Sequence, residues 1–212
     1  MQHNVSLNVP LGPESVATLR PGDNIAVSGV LLTGGLRLHE YLYTVKPELP
    51  DSAGGGVLFQ CEPLIELRPE GGMELLSASP ANSVYFERYI LSIVKHYGFA
   101  AVMGKGGMTE ATLKALRDNN CIYLHTISGA GVYLANKVNT ISPVKFGCPP
   151  AILPATYPPH ELNSDHDEDR EDHIFSWYFT VEDFPAIVTS ALTGKDLHSV
   201  IRELSIRQAG VL

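Results

Sequence analysis

A lysine flanked by glycines is the part of the sequence that most directly suggests chemistry. Residues 104–107 read GKGG and are called the lysine loop below; they follow an apolar run at 99–103 that is typical of a buried strand. Thr109 is a residue type that begins helices, and Glu110 suits a first helical turn. An ammonium group, free backbone N–H groups and the positive end of a helix would all attract an anion. We therefore predict an anion-binding loop around Lys105.

The spacing around Lys105 excludes the two common nucleotide-binding loops. The phosphate loop of nucleoside triphosphatases requires GxxxxGK followed by Ser or Thr, but Gly98 is one residue too far from Gly104, and a glycine follows the lysine. A dinucleotide-binding turn would require Gly or Ala where Thr109 stands. An ordinary turn between a strand and a helix, with a solvated lysine, is the alternative interpretation.

The segments that must position this loop alternate between strand and helix patterns. Apolar residues recur at helical spacing before Gly98, a residue type that commonly ends helices. Another strand is interrupted at Gly34 and Gly35, shortly before His39. The alternation predicts an α/β fold. The predicted strands are 24–30, 57–61, 99–103 and 121–127, and the predicted helices are 86–97, 109–120 and 128–137.

The C-terminal part predicts two strands and a helix. Alternating apolar residues indicate a strand at 175–181 with one buried face, a turn at 182–185 and a second strand at 186–190. Asp196 is predicted to cap the last helix. The apolar stripe of that helix is predicted to be part of the core; it consists of Leu197, Val200, Ile201 and Leu204.

The composition favours one cytoplasmic domain. A chain of 212 residues can bury one full core, so we predict a single domain over residues 1–212. No apolar run approaches the roughly 20 residues of a membrane span, and the first residues lack a signal-peptide pattern. Cys61, Cys121 and Cys148 are widely spaced and form no metal-ligand pattern. We expect buried thiols and no metal bound by this chain alone.

The negative charge is concentrated in one segment. The formal net charge of −8 argues against nucleic acid as a partner. Residues 160–173 hold seven acidic residues and one arginine, and three aspartates there match the start of a calcium loop. Arg170 stands where that loop requires glycine, and Ser176 where it requires glutamate. We predict an acidic, histidine-containing loop insertion; weak transition-metal binding by its histidines is the alternative.

The motifs RPGD, VSGxLLTxxxxxH, SPxxS, GKGGM, SGAG and WYFTVEDFPAIV occur in an order that resembles a known family. They resemble the β subunit or C-terminal domain of the iron–sulfur (class I) fumarases and L-tartrate dehydratases, from about Leu19 to the last helix. The resemblance implies an α/β domain of the swivelling β/β/α kind. It also implies a hydro-lyase acting on an acid such as fumarate, malate or tartrate. A [4Fe-4S] cluster is then expected in the partner α subunit, not in this chain.

The resemblance also implies roles for individual residues. Lys105 matches the family's GKG lysine, a ligand of a substrate carboxylate, and His39 matches the histidine of its TARDxxH motif. Ser83 matches the serine of its PTTSxRMD motif. We expect two catalytic residues, His39 and Ser83, and four substrate-binding residues, Lys105, Gly104, Gly106 and Asn82.

Other family positions are changed. The arginine and aspartate of TARDxxH fall on Gly35 and Leu36. In PTTSxRMD the first threonine, the family's proposed base, becomes Ala81, and the arginine becomes Tyr85. The second threonine is replaced by Asn82, and the aspartate by glutamate. Each lost clamp or base is expected to cost on the order of 10²-fold in rate, so an ordinary fumarase is not expected. Gly35 and Ala81 are expected to enlarge the pocket for a different substrate.

Three functions are consistent with these residues. The first is an iron–sulfur hydro-lyase β subunit with an altered small carboxylate substrate; it predicts an oligomer with an α subunit and no nucleic acid or membrane partner. The second is a catalytically inactive binding, structural or regulatory relative that retains a small-carboxylate site. The third is a metal-dependent protein that uses residues 160–173.

Overall fold

The computed structural model describes residues 3–49, 53–68, 71–144, 146, 176–194 and 196–209. Within these ranges, strands and helices alternate along the chain. In order they are β1 Asn4–Asn8, α1 Pro13–Ala17, β2 Asn24–Gly34, α2 Leu36–Thr44, β3 Val57–Gln60, β4 Leu64–Leu67, β5 Met73–Ser77, a 3-10 helix Ser83–Phe86, α3 Glu87–Tyr97, β6 Ala101–Gly104, α4 Glu110–Arg117, β7 Ile122–His125, α5 Gly131–Ala135, β8 Val138–Pro143, β9 Ser176–Ser190 and α6 Leu197–Gln208.

The main sheet closes into a barrel. Its strand order is β1-β2-β3-β6-β7-β9-β8, and β9 also pairs with β2, so that β2, β3, β6, β7 and β9 form a ring. The first four of these strands are parallel, and β9 runs antiparallel to both β2 and β7. A separate antiparallel hairpin joins β4 and β5.

Two apolar clusters hold the barrel together. One includes Leu31, Phe59, Met103, Leu124 and Phe179, which the ring strands contribute and which are all fully buried. The other joins alternate residues of the same strands to the apolar faces of α2, α3 and α4. Side chains of a strand alternate between its two faces, and β3 and β6 are buried on both along their whole length. The predicted α/β fold class is confirmed.

The helices α3 and α4 form where the apolar spacing and the capping residues of the sequence predict them. α3 buries Ile90 and Val94, and it ends at Gly98, whose φ of 71° is the left-handed conformation that glycine adopts readily. α4 begins after Thr109, whose side chain accepts a hydrogen bond from the N–H of Thr112. These helices flank β6 and therefore fix where the lysine loop leaves the sheet.

The carboxyl ends of the four parallel strands lie at one edge of the barrel. Residues 78–83 cross this edge and are joined to it by backbone hydrogen bonds. Ala81 N–H donates to the carbonyl of Gln60 at 2.7 Å, and Lys105 N–H donates to the carbonyl of Ala81 at 3.1 Å. Ser83 N–H then donates to the carbonyl of Lys105 at 3.0 Å. The crossing segment thus links the end of β3 to the lysine loop.

Two C-terminal predictions are wrong. The expected turn at 182–185 is part of one continuous strand, β9, because an irregularity opposite residues 27–29 and a φ of 49° at Asp183 absorb the bend without ending the pairing. The stripe of α6 is not core, since Ile201 and Leu204 are 52% and 53% exposed. Asp196 does cap α6, accepting from Ser199 N–H at 2.9 Å.

The acidic loop at 160–173 and Cys148 lie outside the described residues, and the single-domain assignment of residues 1–212 stays a prediction. None of the helices described here combines the length and the apolar composition that a membrane-spanning helix needs.

Candidate active site at the carboxyl ends of the barrel strands

Lys105 stands on a loop whose backbone is held from both sides. The crossing segment bonds to its N–H and its carbonyl, and Thr126 N–H donates to the carbonyl of Gly104 at 2.8 Å. Lys105 itself is partly buried, and no described side chain forms an ion pair with it. The N–H groups of Gly106 and Gly107 also donate to no acceptor within the described ranges. The loop therefore offers a positive charge and free donors on a fixed backbone.

Two buried hydroxyls support this loop from below. The hydroxyl of Tyr123 lies 2.8 Å from Ser83 Oγ and 2.9 Å from the carbonyl oxygen of Gly106. The carbonyl can only accept, so the single hydroxyl proton of Tyr123 is donated to Gly106, and Ser83 donates to Tyr123. Burial raises the pKa of Tyr123, and the Ser83 bond opposes part of that rise. Tyr123 is therefore a neutral donor to the loop.

The two glycines that precede and follow Lys105 have different reasons to be glycine. A Cβ on Gly104 would overlap Ser83 Oγ and lie 2.7 Å from Gln60 Oε1, so this position leaves room for buried polar side chains. Gly106 has a φ of 70°, in the left-handed region, and a Cβ there would be 3.7 Å from Asn82 Oδ1. Gly104 thus serves packing, whereas Gly106 serves the turn.

His39 is buried beneath the edge rather than exposed at it. Its side chain is 0% exposed, and its ring contacts Phe86 with 4.3 Å between centroids. Nδ1 lies 2.8 Å from the carbonyl of Gly35, which can only accept, so Nδ1 carries the proton and Nε2 accepts from the Gln60 amide at 3.4 Å. Burial lowers the pKa of His39 to about 4, with the Gly35 bond opposing. His39 is therefore neutral near pH 7.

A carboxylate fills the space beside Gly35. The Glu62 side chain lies directly against the Gly35 Cα, where a Cβ would overlap it, and its Oε1 accepts from the N–H of Leu36 at 3.3 Å. Glu62 thus binds the first turn of α2, an anion-favouring position. A glycine at position 35 predicts an enlarged pocket there, but the Glu62 side chain occupies that space.

A second carboxylate binds a backbone N–H group at the start of the helix that follows the lysine loop. Glu87, at the position of the family's aspartate, accepts a hydrogen bond from the backbone N–H of Thr109. The positive end of α4 therefore already faces a negative charge from α3. Any anion at the lysine loop depends on Lys105 and the free loop N–H groups more than on the dipole of α4.

Unpaired buried polar atoms gather at this edge. Within the described ranges four such side-chain atoms have no hydrogen-bond partner: Thr33 Oγ1, Gln60 Oε1, Thr126 Oγ1 and His198 Nε2. Thr33 and Gln60 lie at the ends of β2 and β3, Thr126 directly follows β7, and His198 lies over the lysine loop. Leaving a buried polar atom unpaired costs about 1–3 kcal/mol. Their grouping at one end indicates a site where something other than packing is required.

The structure brings the six predicted site residues to this one edge, at different depths. Lys105 and Gly106 are partly buried and Asn82 is exposed, so a ligand can reach them; Gly104, Ser83 and His39 are buried. Their assigned roles stay predictions. Four further residues lie at this edge although no motif in the sequence singles them out: Gln60, Glu62, Tyr123 and His125. The register of four parallel strands brings these four together, and only the recognition that each strand ends at the same edge could have revealed it.

The described residues do not fit an iron–sulfur cluster. Cys61 and Cys121 are fully buried and belong to different apolar clusters, and burial raises the pKa of both thiols. Cluster ligands are thiolates. Among the described side chains, no three of His, Cys, Asp and Glu are placed to hold a metal ion.

Comparison with known proteins assigns the family. Residues 1–148 match the family model described as Fumarase C-terminus. A protein of Geobacillus stearothermophilus named for fumarate hydratase class I is 30% identical over 207 residues, which are 96% of this chain but 35% of that protein. The L(+)-tartrate dehydratase subunit beta of Escherichia coli K12 is 27% identical over 139 residues, 65% of this chain and 68% of the subunit.

A Methanocaldococcus jannaschii protein named for the same tartrate dehydratase subunit is 25% identical over 150 residues, 67% of this chain and 76% of its own length. The closed sheet with outer helices agrees with the swivelling β/β/α domain that the motifs implied. The family match covers well over half of the residues and includes the whole lysine loop. On these grounds the chain belongs to the fumarase C-terminus family.

Proposed function

We propose that this chain is the β subunit of an iron–sulfur-dependent hydro-lyase that adds water to, or removes it from, a small unsaturated or hydroxy carboxylic acid. The observation that carries the proposal is the lysine loop at one edge of the barrel, where, among the described residues, Lys105 has no ion-pair partner and two backbone N–H groups have no acceptor. A carboxylate held there places its neighbouring carbon at the same edge. Neutralising the carboxylate charge makes loss of a proton from that carbon easier.

The cluster belongs, in this proposal, to an α subunit. The Escherichia coli relative is named as one subunit of a larger enzyme, and the chain spans 35% of the length of the Geobacillus relative. When bound in that partner, a [4Fe-4S] cluster supplies a Lewis acid for the departing or arriving hydroxyl. This chain, as one domain in the cytoplasm, supplies the lysine loop, Asn82 at its rim and the buried Ser83 and His39 that hold the edge in shape.

The substrate in this proposal differs from that of an ordinary fumarase. Glu62 stands where the family has an arginine clamp, so this corner repels a carboxylate and favours a hydroxyl or another hydrogen-bond donor. Tyr85, at the second arginine position, is 68% exposed and offers a flat apolar contact.

A catalytically inactive binding relative is the second candidate, and burial favours it. Both predicted catalytic side chains, His39 and Ser83, are 0% exposed and engaged with protein groups. In this alternative the lysine loop binds a small carboxylate without turnover.

Anaerobic purification of the tagged chain from its native cells separates the two candidates. Iron, acid-labile sulfide and visible absorbance are assayed on the co-purified material, and hydration of fumarate and dehydration of malate and tartrate are then measured. A cysteine-rich partner with a cluster and measurable turnover supports the hydro-lyase. A colourless chain recovered alone, which binds a carboxylate without turning it over, supports the second candidate and contradicts the first.

A further inference from the structure

Two histidines that no motif singled out lie beside the lysine loop. His125 ends β7 and pairs in register with Gly104, so it occupies the neighbouring strand directly beside the start of the loop. His198 lies in the first turn of α6, and its ring covers Gly107, where a Cβ would be 3.5 Å from the ring Cδ2. The two imidazole rings are 5.9 Å apart between centroids, with an angle of 65° between their planes. They form one wall of the candidate site.

The ring nitrogens of this histidine pair lack hydrogen-bond partners among the described residues. His198 Nε2 is buried and has no hydrogen-bond partner within the described ranges. No described residue donates to or accepts from the ring of His125, which is only partly buried. A buried imidazole nitrogen without a partner is costly. A polar ligand that enters beside the lysine loop would relieve that cost.

Two simpler explanations do not account for the pair. The positive end of α6 is already satisfied, because the Asp196 carboxylate accepts the N–H of Ser199 and interacts with that of His198. The pair also lacks a third ligand for a metal ion among the described side chains. What remains is a pair of hydrogen-bond donors next to a cation.

We propose that His125 and His198 form a second acid-binding contact, which takes the far carboxylate of a short dicarboxylic acid while the lysine loop holds the near one. This inference rests on the proposed function of the loop. Neighbouring strands are about 4.8 Å apart, so the two contacts lie within reach of one short ligand. The pair would thereby replace part of the cationic clamping lost at Gly35 and Tyr85.

The charge state of His125 gives the proposal a pH signature. Burial, and then the neighbouring His198, lowers the pKa of His125. A bound carboxylate would stabilise the protonated ring, so binding should take up a proton and strengthen as the pH falls from about 8 to 6. Three titratable groups are connected to the pair: Asp196 interacts with His198, Tyr123 lies two residues before His125 on β7, and Lys105 directly follows Gly104, the register partner of His125. The pH dependence assigned to the pair is therefore the part that disappears in the histidine variants.

Titration calorimetry on the full chain tests the proposal with two probes, succinate and its monomethyl ester, which share the same four-carbon diacid backbone but differ by one negative charge and one methyl group. His125→Gln and His198→Gln are each expected to weaken succinate binding about tenfold and binding of the ester less than twofold. His96→Gln, which changes an exposed histidine on α3, should change neither. Succinate binding by the two site variants should also lose the strengthening at low pH.

Resonances of the imidazole nitrogens provide a readout that needs no variant. Succinate should shift the signals of His125 and His198, and the ester should shift them much less. Equal weakening of both probes, or no response of these signals to succinate, overturns the proposal. If Lys105→Ala abolishes binding while the histidine variants do not, the second contact fails and the lysine loop stands. Succinate binding that needs the histidines but not Lys105 contradicts the proposed function of the loop instead.

Discussion

The lysine loop and the turn between β2 and α2, residues 34–36, are built alike but present opposite charges. Each follows a parallel barrel strand, contains glycine and leads into a helix. At the lysine loop, Lys105 has no ion-pair partner and two N–H groups have no acceptor in the part of the chain that the structure describes, whereas at the β2–α2 turn the Glu62 carboxylate already binds the first N–H of the helix. The same local geometry therefore gives an open anion site in one place and a filled one in the other.

The difference follows from the side chains that fill each turn. At the β2–α2 turn a glycine is combined with a carboxylate that follows β3, and the two belong together because the Glu62 side chain occupies the space that a Cβ on Gly35 would take. The lysine side keeps its packing: Ser83, Tyr123 and Gln60 all depend on Gly104. We therefore expect anion binding to depend on the lysine loop and not on the β2–α2 turn.

The largest expected effect is that of Lys105→Ala. Removing the ion-pair-free charge should lower kcat/KM of the proposed enzyme by about 10²-fold or more, because no other described cation lies on this loop. Steady-state kinetics on the complex measures this, with circular dichroism to check folding. Lys114→Ala is the matched control, since that lysine forms an exposed pair with Asp118 at 2.6 Å and should change activity less than about twofold. Normal activity of Lys105→Ala would contradict the open-site interpretation.

The second largest expected effect is a loss of folding stability at low pH, caused by His39, whose Nδ1 bonds to the carbonyl of Gly35 in the β2–α2 turn. The pKa of His39 is lowered to about 4 in the fold, against an unfolded value of about 6.5. Between these two pH values the unfolded chain binds the proton more readily than the folded chain. The contribution of neutral His39 to the free energy of unfolding is therefore complete above pH 6.5 and is lost as the pH falls toward 4. At about 1.4 kcal/mol per pKa unit, the loss is about 3 kcal/mol.

Urea unfolding at pH 7 and pH 4.5 tests this value. The wild type should lose about 2–3 kcal/mol more than His39→Gln, whose amide does not titrate in this range. Equal losses in the two proteins would mean that His39 does not carry the acid sensitivity of the turn.

Alanine substitutions at Gly104 and Gly35 should lower the free energy of unfolding by different amounts at the lysine loop and at the β2–α2 turn. Gly104→Ala places a methyl group against two buried polar side chains that cannot retreat, and should lower the free energy of unfolding by about 1–3 kcal/mol. For Gly35→Ala the three atoms nearest to the new methyl group all belong to Glu62, an exposed residue whose side chain can swing outward, so the cost should be about 1 kcal/mol or less as the contact to α2 is lost. Denaturant unfolding of both variants measures the difference. A larger loss of unfolding free energy for Gly35→Ala than for Gly104→Ala would contradict the idea that the lysine loop is the more tightly packed of the two regions.

The smallest expected effect is that of Glu62→Gln. Glutamine can keep the hydrogen bond to Leu36 N–H while removing the negative charge, so carboxylate affinity should rise about two- to threefold at low ionic strength. Calorimetry at about 20 mM and 500 mM salt tests the electrostatic origin, because the gain should shrink in high salt. A gain that is independent of salt would indicate a change of shape instead.

Local signals in the sequence predicted the elements around the lysine loop. The apolar spacing of α3, the glycine that ends it and the cap of α4 at Thr109 are all decided by neighbouring residues, and the structure confirms them. The sequence also indicated that Lys105 follows a buried strand, as it does. Such features depend on contacts within one or two turns of chain.

The rest of the edge depends on contacts between distant segments. Glu62 and Gly35 meet because β2 and β3 are parallel neighbours, and Tyr123 reaches Ser83 only across β6. The break expected in β9 did not occur because pairing with β2 continues past it. The exposure of Ile201 could not be read from helical spacing, which shows an apolar face but not what covers it.

The closing role of β9 has a consequence for how the chain acquires its structure. Ser176, at the start of β9, donates to the carbonyl of Thr33 across 143 residues of sequence. Until β9 is synthesised, β2 and β7 each have an unpaired edge, and an open sheet edge is a template for association with other chains. Contacts at such sequence separation also make folding slow. The barrel that carries the site can therefore close only after β9 has been made, and until then its open edges are exposed to aggregation.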